Sequence, residues 1–132
     1  MINYLAESAA YKVYAIYESV YLKEKPTSDT QDGFSEADQF IAWHYGDPTS
    51  AIVLPTGKHI IVAGCGLSLY DTERREEAHI LDEPDKILWT NALHQDSLDD
   101  MNCEFRFVAF NKDDVMRVFK MNVSTRKIEQ LD

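Results

Sequence analysis

Apolar positions in the first 24 residues recur at helical spacing. Ile2, Leu5, Ala9, Val13, Ile16 and Val20 are separated by 3, 4, 4, 3 and 4 residues, which places them within an arc of about 80° on a helix. The stripe predicts an amphipathic helix from residue 3 to residue 24. Pro26 stops it, because proline has no amide to give a helix interior, and Lys23 and Lys25 suit the negative end of its dipole. A competing pattern occupies the same stretch. Tyr11, Val13, Ala15 and Tyr17 alternate with Tyr14 and Ile16, and tyrosine and β-branched residues favour strands. The helix accounts for more positions and is preferred. A polar loop is expected over residues 27–33. Ser35-Glu36-Ala37-Asp38 has capping-box spacing, with Asp in place of the usual Glu. It predicts a second, short helix with Ala37, Phe40, Ile41 and His44 inward, ended by Gly46 and Asp47-Pro48.

From residue 51 onward the pattern is that of strands. Ala51–Leu54 and Lys58–Gly64 flank a Pro55-Thr56-Gly57 turn. Gly64-Cys65-Gly66 reads as a turn or bulge, after which Leu67–Asp71 returns. Glu73–Glu77 is an exposed charged turn, and Ala78–Leu81 a fourth strand. Residues 83–95 admit a helix opened by Pro84 or a strand at Ile87-Leu88-Trp89. Cys103–Asn111 alternates clearly, Lys112-Asp113-Asp114 turns the chain, Val115–Val123 returns, and a last strand ends at Leu131.

This strand pattern occurs twice. Ile60–Gly64, Leu67–Asp71 and His79–Asp82 form one copy; Phe107–Phe110, Met116–Lys120 and Ile128–Asp132 form the other. Val62-Ala63 and Val108-Ala109 are 46 residues apart, and Leu81-Asp82 and Leu131-Asp132 are 50 apart. The unit resembles a blade of a β-propeller, including its Tyr70-Asp71 ending, over roughly residues 51 to 132. Two units cannot close a ring, which usually takes at least four blades. The expected fold is therefore α+β: one twisted antiparallel sheet of about six to eight strands, in two related meander units, packed against N-terminal helices. A single domain is expected over residues 1–132, with 1–48 mainly helical and 49–132 mainly antiparallel β.

Charge narrows the functions. The net charge is -10, which disfavours direct nucleic-acid binding and docking on anionic lipid. It favours electrostatic attraction of a basic protein partner. The distribution is uneven. Residues 26–57 contain no Lys or Arg but carry Asp29, Asp32, Glu36, Asp38 and Asp47; residues 87–105 again lack Lys and Arg and carry Asp96, Asp99, Asp100 and Glu104. The last strands hold Arg106, Lys112, Arg117, Lys120, Arg126 and Lys127. Two cysteines are too few for a disulfide framework. The start lacks the basic and apolar regions of a secretory signal, and no apolar run reaches membrane-spanning length. A cytoplasmic protein is expected.

No catalytic, cofactor or metal motif stands out. His44, His59, His79 and His94 are not spaced as metal ligands. Cys65 has no neighbouring base or cation to activate it. Asp96, Asp99, Asp100, Asn102 and Glu104 lack the spacing of a calcium loop. The traits are similar in character to those of bacterial toxin-immunity proteins, whose acidic surfaces often cover the basic active site of a nuclease. That likeness implies a non-enzymatic protein that binds and neutralises a partner by masking a basic surface. The candidate contact residues are Asp96, Asp99, Asp100 and Glu104 in the acidic loop, and Tyr11, Tyr14, Glu18 and Tyr21 near the N-terminus. One alternative is a small-ligand module or enzyme with a pocket between helix and sheet, lined by Trp43, His44, Tyr45 and Cys65. Another is a nucleic-acid mimic, or an assembly subunit that uses exposed sheet edges.

Overall fold

Two tight turns cut the N-terminal apolar stripe into strands. At the first, the Ser8 hydroxyl accepts a hydrogen bond from the Tyr11 amide at 3.1 Å, and the Ser8 amide donates to the Tyr11 carbonyl at 2.8 Å. At the second, Tyr17 takes a left-handed φ of 53°, and Ile16 pairs with Ser19 across it. The computed structural model describes residues 2–25, 33–83, 87–110 and 115–132, and within them it is all β. The strands are β1 (Ile2–Glu7), β2 (Tyr11–Ile16), β3 (Ser19–Glu24), β4 (Gln39–Trp43), β5 (Ser50–Val53), β6 (His59–Gly64), β7 (Gly66–Asp71), β8 (Glu76–Ile80), β9 (Trp89–His94), β10 (Glu104–Phe110), β11 (Met116–Asn122) and β12 (Ile128–Gln130). They form three separate four-stranded antiparallel sheets, β1–β4, β5–β8 and β9–β12.

This corrects the α+β expectation. The segment 1–48 is not mainly helical; the described part of it is the first sheet. Nor is there one sheet in two meander units: there are three sheets. The helical stripe was a coincidence of two superposed hairpins. Val13 and Val20 belong to it and are fully buried, whereas Ala9 sits exposed in the first turn. The alternation of Tyr11, Val13 and Ala15 with Tyr14 and Ile16 was the pattern that tertiary pairing used. The second helix fails for a related reason. Ser35 and Asp38 do exchange hydrogen bonds, Asp38 amide to Ser35 carbonyl at 3.0 Å and Ser35 amide to the Asp38 carboxylate at 3.0 Å. They close a single turn, after which Phe40 and Ala42 pair with Tyr21 and Val20 in β4. Of the ambiguous segment 83–95, Trp89–His94 is a strand. Pro26, Pro84, the Lys112-Asp113-Asp114 turn and the loop 27–33, except Gly33, lie outside the described residues.

The central sheet is buried on both faces, which accounts for the unbroken apolar run Ile60-Ile61-Val62-Ala63. Ile60, Val62 and Tyr70 face the first sheet and pack with Val13, Val20, Leu22 and Ile41. Ile61, Ala63, Leu67 and Leu69 face the third sheet and pack with Phe105, Phe107 and Met121. Pairing Ile61 with Leu69 and Ile60 with Tyr70 keeps each set on its own side, because side chains alternate across a strand. The first strands of the three sheets adjoin, β1 against β5 and β5 against β9. Among the described residues no helix is long and apolar enough to cross a membrane.

Candidate functional site

The chain leaving β4 keeps strand-like alternation for two more residues. Trp43 and Tyr45 turn outward and are 52% and 66% exposed, while His44 between them is fully buried. Glu18, in the β2–β3 turn, holds this segment in place. Its carbonyl accepts from the His44 amide at 3.0 Å, and its carboxylate accepts from the Gly46 amide at 2.6 Å. Gly46 has a φ of 73°, so a side chain there would be strained by the backbone, although a Cβ would meet the Trp89 ring only at ordinary contact distance.

Opposite this segment, the Gly64-Cys65-Gly66 bend joins β6 to β7, and Cys65 forms an isolated antiparallel bridge with Trp89. Thr90 fastens the bend to the third sheet. Its hydroxyl accepts from the Gly64 amide at 2.9 Å and donates to the Gly66 carbonyl at 2.7 Å. Thr90→Val keeps the shape and removes both bonds, leaving the buried Gly64 amide unpaired. A loss of about 1–3 kcal/mol in urea unfolding is expected. An unchanged midpoint would show that Thr90 does not tie the sheets together.

Between these elements lies a cleft of about 380 Å³ lined by Trp43, Tyr45, Cys65, His79, Asp82 and Ile87. Trp89 stands beside it, 48% exposed, with its ring centroid 6.4 Å from that of Tyr45. His79 Nε2 donates to the Cys65 carbonyl at 2.8 Å, and its Nδ1 lies 3.3 Å from the Glu77 carboxylate. The hydrogen bond that the Glu77 carboxylate accepts from it raises the His79 pKa above its ordinary value, against the opposing effect of burial. His44 packs behind His79, ring centroids 4.5 Å apart, and among the described residues neither of its ring nitrogens has a hydrogen-bond partner. Burial, then the neighbouring His79, lower its pKa to about 4. Burial, followed by the charge of Asp82, raises the Cys65 pKa, so the thiol is kept from the thiolate form a nucleophile needs. Among the described residues no group of three or more His, Cys, Asp or Glu side chains is placed to hold a metal ion.

The residues singled out from sequence fall in three places. Asp96, Asp99 and Asp100 lie in the β9–β10 loop and Glu104 opens β10, but their carboxylates are used within this segment and on the strands beside it. The Asp99 carboxylate accepts from the Asp96 amide at 2.8 Å and, in a bidentate pair, from Arg106 at 3.0–3.2 Å. Glu104 accepts from the Asp100 amide at 2.6 Å and lies 3.8 Å from Lys120. Asp96 accepts from the Leu98 amide and Asp100 from the Asn102 amide. Tyr14 and Tyr21 are cross-strand neighbours with stacked rings 5.6 Å apart, whereas Tyr11 packs on the opposite side of the first sheet, against the core. Glu18 supports the cleft instead. The eight residues therefore do not form one surface. Of the four pocket residues, Trp43, Tyr45 and Cys65 line the cleft together, and His44 backs it. His79, Asp82, Ile87 and Trp89 were not read as parts of the site. For Ile87 and Trp89 the signal was the shortage of cations, because the cleft joins the two segments, 26–57 and 87–105, that contain no Lys or Arg; His79 and Asp82 lie in neither segment and carried no such signal. No protein-family model matches this chain, and a search of curated proteins returned no match to its sequence.

Proposed function

We propose that this is a cytoplasmic, non-enzymatic binding protein that masks a basic surface of a partner protein, as toxin-immunity proteins do, and that the cleft is where it grips. One observation carries this reading. The two cation-free stretches of an acidic chain meet at the cleft and place the exposed rings of Trp43, Tyr45 and Trp89 around it. Exposed tryptophan and tyrosine are the usual energetic anchors of protein interfaces, and a local absence of Lys and Arg lets the net charge of -10 steer a basic partner to that face. The acidic loop of residues 96–104 is less suited to the work, because its carboxylates are already paired. Two free cysteines, Cys65 and Cys103, fit a reducing compartment. A small-ligand module is the second reading, favoured by a cleft volume of about 380 Å³, within the usual range of ligand pockets.

The experiment compares capture by immobilised wild-type protein and by the double variant Trp43→Ala, Tyr45→Ala at low salt, quantified by mass spectrometry. Both side chains are largely exposed, so the variant should melt close to wild type. A basic protein retained in stoichiometric amount by wild type should fall at least about tenfold with the variant. Equal capture by the two proteins removes the cleft from the interface and sinks the proposal.

A further inference from the structure

We propose that the cleft is a guanidinium site, receiving the side chain of one arginine presented by the partner. The inference rests on the binding reading above and adds the chemistry of the group received.

The walls are aromatic. Trp43 ends β4 and Tyr45 follows it, Trp89 opens β9, and the Tyr45 and Trp89 centroids are 6.4 Å apart, tilted by 51°. A flat, delocalised, weakly hydrated cation stacks on such faces better than a compact ammonium does. The acceptor is Asp82. It lines the cleft and is exposed, and among the described residues it makes no ion pair or hydrogen bond. Two other carboxylates near the cleft are occupied, Glu77 by His79 and Glu18 by the Gly46 amide. A carboxylate beside aromatic walls can accept two parallel N–H bonds from the guanidinium fork. Cys65 and Ile87 supply apolar surface for the methylene stem of the arginine. Among the described residues the cleft is lined by no lysine or arginine that would compete. Among the described lining residues His79 is the one ionisable nitrogen base, and Glu77 balances its charge while its Nε2 hydrogen points to the Cys65 carbonyl. An anionic ligand would be repelled by Asp82.

The test uses the chain's own tryptophans. It has two, Trp43 and Trp89, and both stand at the cleft, so indole fluorescence reads its occupancy. The full chain is titrated at about 0.15 M salt, where long-range attraction is screened, with blocked Gly-Arg-Gly, Gly-Lys-Gly and Gly-citrulline-Gly peptides. The arginine peptide should give a saturable change, with the lysine and citrulline peptides about tenfold weaker. Asp82→Asn should weaken the arginine peptide about tenfold. Glu73→Gln, which removes the same charge at the distant β7–β8 turn, should leave it unchanged; circular dichroism confirms that both variants are folded. Equal affinity for arginine and for citrulline or lysine overturns the assignment, as does no saturable response to any peptide. If partner capture then still depends on Trp43 and Tyr45, the binding reading stands without it. If the arginine response holds while capture ignores those residues, the guanidinium site stands and the binding reading fails.

Discussion

Replacing Asp38 by alanine is expected to destabilise the protein by about 3–5 kcal/mol, because it strands a buried ammonium. Lys23 and Asp38 have side chains only 2% and 3% exposed, with Nζ 3.1 Å from the carboxylate. The ion pair does not have hydrogen-bond geometry at the lysine nitrogen, so Asp38 supplies its compensation mainly as charge. The same carboxylate accepts the Tyr14 hydroxyl and the Ser35 amide. Its removal therefore leaves a cation, a phenol and an amide short of a partner at once. Burial first, and then the hydrogen bond to Asp38, raise the Tyr14 pKa, so the phenol stays protonated and serves as a donor. Urea unfolding monitored by circular dichroism gives the cost. The double variant Lys23→Met, Asp38→Leu should recover the part due to the stranded ammonium, because removing both charges abolishes the desolvation penalty together with the attraction, while the Tyr14 phenol and Ser35 amide still lack their acceptor. A cost below about 1 kcal/mol for Asp38→Ala, the value of an exposed pair, would show that the Lys23 ammonium reaches water.

The second large effect is a loss of stability on mild acidification. His44 is fully buried and among the described residues neither ring nitrogen meets hydrogen-bond geometry, and its pKa falls to about 4 from an ordinary value of 6.5. Above pH 6.5 it is neutral in both states and contributes nothing. As the pH falls from 6.5 toward 4, the unfolded chain takes up a proton that the native state refuses, so stability is lost. At about 1.4 kcal/mol per pH unit, this interval amounts to about 3 kcal/mol. The groups facing His44 act in both directions. His79 repels its proton, whereas Glu77, Asp82 and the Cys65 carbonyl attract it. His79 itself has the opposite sign: its raised pKa contributes stability below 6.5, which is lost as the pH rises through the folded value. Comparing wild type with His44→Leu isolates the His44 contribution. The wild-type curve should fall below that of the variant by about 3 kcal/mol between pH 6.5 and pH 4. Parallel curves would show that His44 takes up its proton while folded.

The legibility of the fold varied with how each element is buried. Residues 51–82 were readable because both faces of the central sheet are covered, so its strands are continuous apolar runs separated by Gly and Pro turns. Residues 103–123 were readable because one face of β10 is buried and the other is not, which gives clean alternation. The N-terminal segment misled. Its strands have only six residues each, and two short turns set apolar residues three and four apart by accident. The tie between helix and strand was broken by long-range pairing, Val20 with Ala42 and Tyr21 with Phe40, which no local period contains. The candidate site was legible only in part. Trp43, Tyr45 and Cys65 stood out by residue type, but Asp82 and Trp89 look like an ordinary turn acid and a strand aromatic until the sheets bring them together.

By itself the sequence determined the local alternations, the positions of most turns, the acidity and the two stretches without cations, because each depends only on neighbouring residues. The tertiary structure decided that there are three sheets, that the carboxylates of the 96–104 loop are consumed by Arg106 and by backbone amides, and that the two cation-free stretches face each other across one cleft. These depend on contacts between residues far apart in the chain, such as the hydrogen bond of Thr90 to Gly64. Such contacts form only when the burial of one sheet against the next outweighs the entropy of bringing the segments together.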